Sequence, residues 1–276
     1  METDVDVVVN SGAPAAGLFL ATRVLFAEQE RRFSRFVPTS LLSALNRGEE
    51  VHDGAFAAAV RLALEAHEVT GGLFNPMVLA ALEDAGYDRT FADVATGVPR
   101  RQAVPDPRDA LVLHGDRVAL RRGRLDLGGI VKGWTVDLAV ERLADGCDGV
   151  LVNAGGDLRA AGSEDAVEGW LVAVAAPGSD AQAWEGVLTG ALATSTTLKR
   201  RWGTASGPAH HIIDPRTGLP ATSPYVQVTA WAAETWLAET WAKAVLVGGE
   251  GGARACLHAG HRLLAFEADG SATDRT

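Results

Sequence analysis

The sequence predicts one α+β domain. Its 276 residues are 47% hydrophobic and 22% charged, enough apolar content for a large core with an ordinary charged surface. Strand-like and helix-like segments come in mixed order, without the strict β–α alternation of a parallel sheet. No internal repeat and no low-complexity linker interrupts residues 1–276.

Residues 4–10 alternate Asp and Val and then run apolar, which predicts a strand. Residues 14–35 carry Leu18, Ala21 and Leu25 at helical spacing and end in a charged run, Glu28 to Arg32. A second helix is predicted over 54–69 from Phe56, Val60, Ala63, Leu64 and His67, stopped by Gly71-Gly72. Residues 88–108, rich in Pro, Asp and Arg, read as a surface connection. A hairpin over 111–122 turns at Gly115-Asp116. A glycine turn at Gly128-Gly129 leads to a helix over about 134–144, and 150–152 is a strand ending in the turn 153–157. Strands are predicted over 171–175, 187–193 and 225–231, and an apolar helix with two tryptophans over 235–247. A short helix near Ala253 and a strand near Leu264 close the chain.

The net charge is −10 and the pI about 5.2. A nucleic-acid surface needs a basic stripe to neutralise phosphates, so this balance argues against one. An anionic ligand would need a locally built site of backbone amides, a helix N-terminus, a metal or a placed Lys. Cys147 and Cys256 have no metal-ligand spacing and read as small buried hydrophobes. The N-terminus carries acids where a signal peptide has bases, and no run of about 18 uncharged apolar residues exists. The expectation is a soluble, cytoplasmic protein.

Five stretches can carry chemistry. Asp126-Leu127-Gly128-Gly129-Ile130-Val131-Lys132-Gly133 joins two glycines, able to adopt positive φ and to approach a ligand closely, to a helix N-terminus and a lysine. That combination suits a phosphate or pyrophosphate, and equally an ordinary strand-to-helix turn. Asn153-Ala154-Gly155-Gly156-Asp157 is a polar glycine turn, and Ala193-Thr194-Ser195-Thr196-Thr197 a hydroxyl cluster of the kind that caps helices. His211, three residues before Asp214, lies with it next to a turn built on Pro215, where either a structural role or a general base is possible. Glu239 and Lys243, at i and i+4, form either a surface ion pair or two site groups on one helix face. There is no P-loop, no Gly-x-Ser-x-Gly elbow and no metal-type His cluster.

The order of these motifs carries more than each alone. Arg35 to Asn46, Thr70-Gly-Gly-Leu-Phe-Asn-Pro76, Asp126 to Gly133, Leu151 to Arg159, Ala193-Thr-Ser195, His211 to Gly218 and Ala238 to Gly249 follow one another along nearly the whole chain. In this the sequence resembles the FAD:protein FMN transferase family, the ApbE-like flavin transferases. The resemblance implies a single domain with a mixed, mainly antiparallel sheet, packed helices and a T-fold-related architecture. It also implies FAD as substrate and Mg²⁺-assisted transfer of FMN to a threonine of a target flavoprotein, with AMP leaving. Such chemistry needs no enzyme nucleophile, because the substrate hydroxyl attacks.

Residue by residue, the resemblance places Met1 and Phe36 beside the flavin or adenine rings. Leu73, Phe74, Asn75, Asp126, Lys132 and Ile212 match FAD contacts, with Lys132 facing the pyrophosphate. Asn153, Gly155 and Asp157 join them through the second glycine turn, and Ser195 contacts phosphate or orients its loop. Gly129 matches a position whose backbone carbonyl binds the metal. His211 and Asp214 shape the reaction centre, with Asp214 the favoured proton acceptor. Glu239 and Lys243 stand where the family usually has Asp and Thr as metal ligands. Glu239 keeps a carboxylate, whereas Lys243 offers donors only. Asn75 replaces a usual Asp and Thr196 a usual Gly. The other readings are an FAD-binding homologue without transferase activity, or an FAD pyrophosphatase giving FMN and AMP.

Overall fold

The first strand, β1 (Val5–Asn10), leads into α1 (Ala16–Phe33), which buries Leu25 and Phe33. The structure is a computed structural model, and it describes residues 3–12, 15–89, 97–164, 167–204 and 207–276. A short helix α2 (Leu41–Asn46) follows, capped by Ser40, whose hydroxyl accepts the N–H of Ser43. After β2 (Val51–His52) comes α3 (Gly54–Val69), started by Asp53 accepting the N–H of Phe56. Next are α4 (Leu79–Asp84), α5 (Pro107–Ala110) and the hairpin β3 (Leu111–His114)–β4 (Arg117–Leu120). Periodicity does not announce α2 or α4, because six residues are too few to display a 3.6-residue pattern.

The next helix, α6 (Val131–Ala144), begins directly on the glycine turn, three residues before the predicted start, so Lys132 and Gly133 lie in its first turn. Gly128 and Gly129 are not in the left-handed region; they serve close approach rather than unusual φ. The next hairpin, β5 (Gly149–Ala154)–β6 (Asp157–Glu164), does need it: Gly155 and Gly156 have φ of 61° and 95°, as a two-residue turn requires. Beyond β7 (Val167–Glu168), β8 (Trp170–Ala175) and β9 (Gln182–Leu188) form a second hairpin, followed by β10 (Gly190–Thr196). The apolar run over 187–193 is therefore two strand ends, with Gly190 (φ 93°) at the corner. The hydroxyl cluster 194–196 lies in β10 and caps no helix.

The remainder comprises β11 (Arg201–Thr204), β12 (Gly207–His210), β13 (Ile213–Asp214), β14 (Leu219–Pro220), β15 (Tyr225–Ala232), α7 (Thr235–Gly248), α8 (Glu250–His258), β16 (Arg262–Glu267) and β17 (Ala272–Arg275). The large sheet runs β1-β5-β6-β10-β15-β16-β17, every pair antiparallel, with β7 beside β6.

The two faces of this sheet differ. On one, α6 and α7 lie side by side. Val136, Val140 and Leu143 of α6 pack on Val150 and Val152, while Trp241 and Val245 of α7 pack on Val228 and Leu263. On the other, the β8–β9 hairpin buries Trp170, Val172 and Leu188 against Leu192, and Trp184 meets Trp231 edge-on at 5.0 Å. A further core around α2, α3 and the small sheet β2-β4-β3 holds Leu125, Leu127 and Ile130, and so fixes the turn that starts α6.

Two contacts lock α6 to α7. Asp137 of α6 accepts the N–H of Thr235 (2.8 Å) and of Trp236 (3.0 Å), capping α7 from 98 residues away. The N–H of Gly133 donates to Glu239 Oε2 at 2.9 Å. A Cβ at Gly133 would lie 2.9 Å from both that oxygen and the Thr235 carbonyl oxygen, so the helices meet here only because the residue is glycine.

Candidate active site

The first turn of α6, the middle of α7 and the β5–β6–β10 region of the sheet bring together groups far apart in sequence. Lys132 Nζ donates to the Ala154 carbonyl at 3.0 Å and is ion-paired with Asp157, whose side chain is 2% exposed. In the antiparallel register Asp157 lies opposite Ala193, so Asp157 and Ser195, two residues further along β10, share the face that carries α6 and α7. Burial lowers the Lys132 pKa to about 8, against the opposing pull of Glu239.

Glu239 is the counterpart on α7. Its side chain is 2% exposed, and both oxygens are engaged: Oε1 by Lys243 Nζ at 2.8 Å, Oε2 by the Gly133 N–H. Burial alone would raise its pKa; Lys243, Lys132 and the Gly133 N–H hold it below the usual carboxylate value. The pair thus lies inside the fold, not on its surface. Gly129 sits against it: a Cβ there would lie 3.2 Å from the Phe74 ring and 3.4 Å from Lys243 Cε.

His211 completes the cluster. Its Nδ1 is buried without a hydrogen-bond partner. Burial first, then the charges of Arg200 and Lys243, bring its pKa down to about 3, so it stays a neutral imidazole near pH 7. Arg200 and Lys199 also act on Lys132. An acidic chain therefore holds Lys132 and Lys243 at one glycine turn, with the exposed Lys199 and Arg200 within electrostatic reach of Lys132. Sequence reasoning passed over Lys199 and Arg200, although the basic run 199–201 directly after the hydroxyl cluster was there to be read.

The other predicted residues fall around this centre. Asp126 Oδ1 accepts the Gly128 N–H at 2.7 Å, and Oδ2 pairs with Arg35 Nε at 3.2 Å. The Arg35 guanidinium lies over the rings of Phe36 (4.3 Å) and Tyr87 (4.4 Å), and Tyr87 contacts Trp202 at 5.6 Å. This gives Phe36, 38% exposed, a preformed aromatic neighbourhood. Leu73 packs with the α7 core and Phe74 with the α3 core, so this short segment bridges the two. Asn75 is held by its amide: Nδ2 donates to the Pro105 carbonyl (3.1 Å) and Oδ1 accepts the Met77 N–H (2.8 Å). Ile212 is buried in the α7 core. Asp214 has both oxygens held by Arg216, at 2.8 Å from Nε and 2.8 Å from the terminal nitrogen, and also accepts the Arg216 N–H. Asn153 braces the β5–β6 turn, accepting the Gly156 N–H and donating to Asp6. Gly155 lies against Thr3. Met1 lies outside the described residues. Cys256 is buried, but Cys147 is only half-buried, and neither forms a disulfide.

A cleft of about 490 Å³ opens beside Asn75, lined by His67, Gly72, Asp106 and Arg216 among others. Lys132, Glu239 and Lys243 do not line it.

The donor set does not suit Mg²⁺ at the Gly129–Glu239–Lys243 position. A hard cation needs free oxygen ligands. Each oxygen of Glu239 already accepts a hydrogen bond, one from the Lys243 ammonium whose charge repels a cation there, and Lys243 has no lone pair to give while protonated. Among the described residues no three His, Cys, Asp or Glu side chains are grouped to hold a metal.

The model of the ApbE family matches residues 1–266. The chain belongs to this family. A relative from Treponema pallidum, named FAD:protein FMN transferase, is 30% identical over 281 residues, covering 87% of this chain and 74% of its own length. Another of that name, from Vibrio cholerae, is 30% identical over 131 residues, covering 46% of this chain and 39% of the relative. The solved structure of the ApbE protein from Thermotoga maritima aligns with a TM-score of 0.88 and 26% identity over 99% of this chain and 93% of that one. The apo flavinyl transferase ApbE of Pseudomonas stutzeri aligns with a TM-score of 0.80 at 21% identity, over 100% of this chain and 95% of that one, a likeness of fold. The mixed α/β architecture with a mainly antiparallel sheet is that of ApbE structures. No helix among the described residues is long and apolar enough to cross a membrane.

Proposed function

We propose that this ApbE-family chain is an FAD:protein FMN transferase that moves FMN from FAD onto a threonine hydroxyl of a target flavoprotein. The observation that carries the reading is that Lys132 and Lys243 are held beside the glycine turn of α6, in a chain of net charge −10. Such a centre is built for a pyrophosphate. The threonine oxygen attacks the phosphorus on the FMN side. The P–O bond to the AMP phosphate breaks, and the hydroxyl proton passes to a base. No side chain of the enzyme becomes covalently attached. Lys132 and Lys243 neutralise the charge on the phosphates. Asp214 is the proton acceptor for the threonine hydroxyl, and the neutral His211, its Nδ1 unpartnered, lines the reaction centre. Phe36, Leu73, Phe74 and Ile212 supply the apolar contacts for the flavin and adenine rings.

Incubation with FAD and a threonine-bearing flavoprotein domain tests the reading. In-gel flavin fluorescence and mass spectrometry should show one covalently attached FMN and one AMP released per acceptor. FMN and AMP set free without an acceptor would make the chain an FAD pyrophosphatase. FAD retained without AMP release would leave a binding homologue only.

A further inference from the structure

Where the donor set disfavours Mg²⁺, another group must neutralise the pyrophosphate, an inference that rests on the FMN-transferase reading above. Lys243 rises from α7 one helical turn beyond Glu239, and its Nζ is anchored on Oε1 at 2.8 Å. Its stem passes Gly129, where a Cβ would touch Cε at 3.4 Å. The ammonium is thereby held beside the glycine turn at the start of α6, with 17% of the side chain left exposed. A metal ion on Glu239 would stand beside the Lys243 ammonium already bound to Oε1, and the like charges repel.

We propose that the Lys243 ammonium is a built-in replacement for a divalent cation at the FAD pyrophosphate, so that FAD binding and FMN transfer in this chain require no Mg²⁺. The step balances without a metal. The threonine Oγ–P bond forms as the P–O bond to AMP breaks, the hydroxyl proton leaves to the base, and AMP carries away the electron pair. Lys243 acts by charge and hydrogen bonding alone. Glu239 is the positioning residue that aims it, and Gly129 is the turn residue its stem lies against.

Equilibrium binding of FAD, followed by flavin fluorescence in EDTA and in Mg²⁺, gives a readout independent of turnover. The wild-type affinity should be the same in both within about twofold, and Mn²⁺ added to the FAD complex should show no bound-metal signal in electron paramagnetic resonance. Lys243→Thr restores an oxygen ligand. It should weaken FAD binding in EDTA by about tenfold or more, the loss of one charge-assisted hydrogen bond, and Mg²⁺ should restore it. Lys243→Arg keeps a cation and should remain metal-indifferent, which separates loss of charge from loss of fold. A wild-type protein that binds FAD tenfold more weakly in EDTA overturns the proposal, as does a Lys243→Thr variant indifferent to Mg²⁺. Failure of wild-type FAD binding in both buffers would instead remove the transferase reading itself.

Discussion

The site contains two lysine–carboxylate pairs that differ in how the chain makes them. Glu239 and Lys243 are one turn apart on a single helix, so any helix over this segment brings them together. Lys132 and Asp157 are 25 residues apart and meet only because α6 docks on the β5–β6 hairpin. Each carboxylate is buried to the same degree, yet their support differs. Glu239 keeps the Gly133 N–H if its lysine is lost. Asp157, 1% exposed, has Lys132 as its ion-pair partner. The local pair is therefore set by its own helix, whereas the distant pair exists only through the docking of helix on sheet.

The largest expected effect tests that difference directly. Lys132→Met should destabilise the fold by about 3–5 kcal/mol, because a buried carboxylate loses its cation. Lys243→Met should cost less, about 1–3 kcal/mol, since Glu239 retains one charge-assisted hydrogen bond. Urea unfolding of the two variants settles the order, and equal losses would break the comparison. Adding Asp157→Asn to Lys132→Met should recover most of the stability but none of the FAD binding.

A smaller effect probes the α6–α7 contact that aims Glu239. Gly133→Ala forces a methyl to within 2.9 Å of Glu239 Oε2 and should destabilise by about 1–3 kcal/mol through overpacking. Asp137→Ala uncaps α7 and should cost about 1–2 kcal/mol. Thermal unfolding reports stability, and FAD titration should show both variants weakened although neither side chain needs to touch FAD. Unchanged FAD affinity in either would mean that helix placement does not govern the pair.

A separate effect lies in pH. His211 has a folded pKa of about 3 against an ordinary value of 6.5. Between these values the unfolded chain binds more protons, so this residue's contribution to stability is complete above pH 6.5 and is lost as pH falls toward 3. His211→Gln should flatten that part of the profile of melting temperature against pH. A parallel profile would show that the imidazole is not desolvated as described.

Much of this was legible beforehand. The strand β1, the helices α1, α3 and α7, and the hairpin at Gly115-Asp116 follow directly from period and turn residues. The helix α6 was seen but begun late, because Gly133 and the polar Lys132 mask the first turn of an apolar pattern. The stretch 187–193 reads as one strand because nothing local but Gly190 marks the corner between two sheets. Asn75 stands out in the sequence only as a departure from the family; its reason, an amide donating to Pro105 where a carboxylate could not, needs a loop thirty residues away. The Arg216 grip on Asp214 and the Asp137 cap of α7 left no signal at all, since neither spacing differs from that of ordinary polar residues.

By itself the sequence determined the elements, the glycine turn with its lysine, and the i, i+4 spacing of Glu239 and Lys243, because these depend on neighbours along the chain. The tertiary structure decided where those residues meet. Docking α7 against α6 buries Glu239, closes both its oxygens and brings Lys243 beside Gly129. Burial turns an exposed ion pair worth a few tenths of a kcal/mol into a fixed charge, because water no longer screens it.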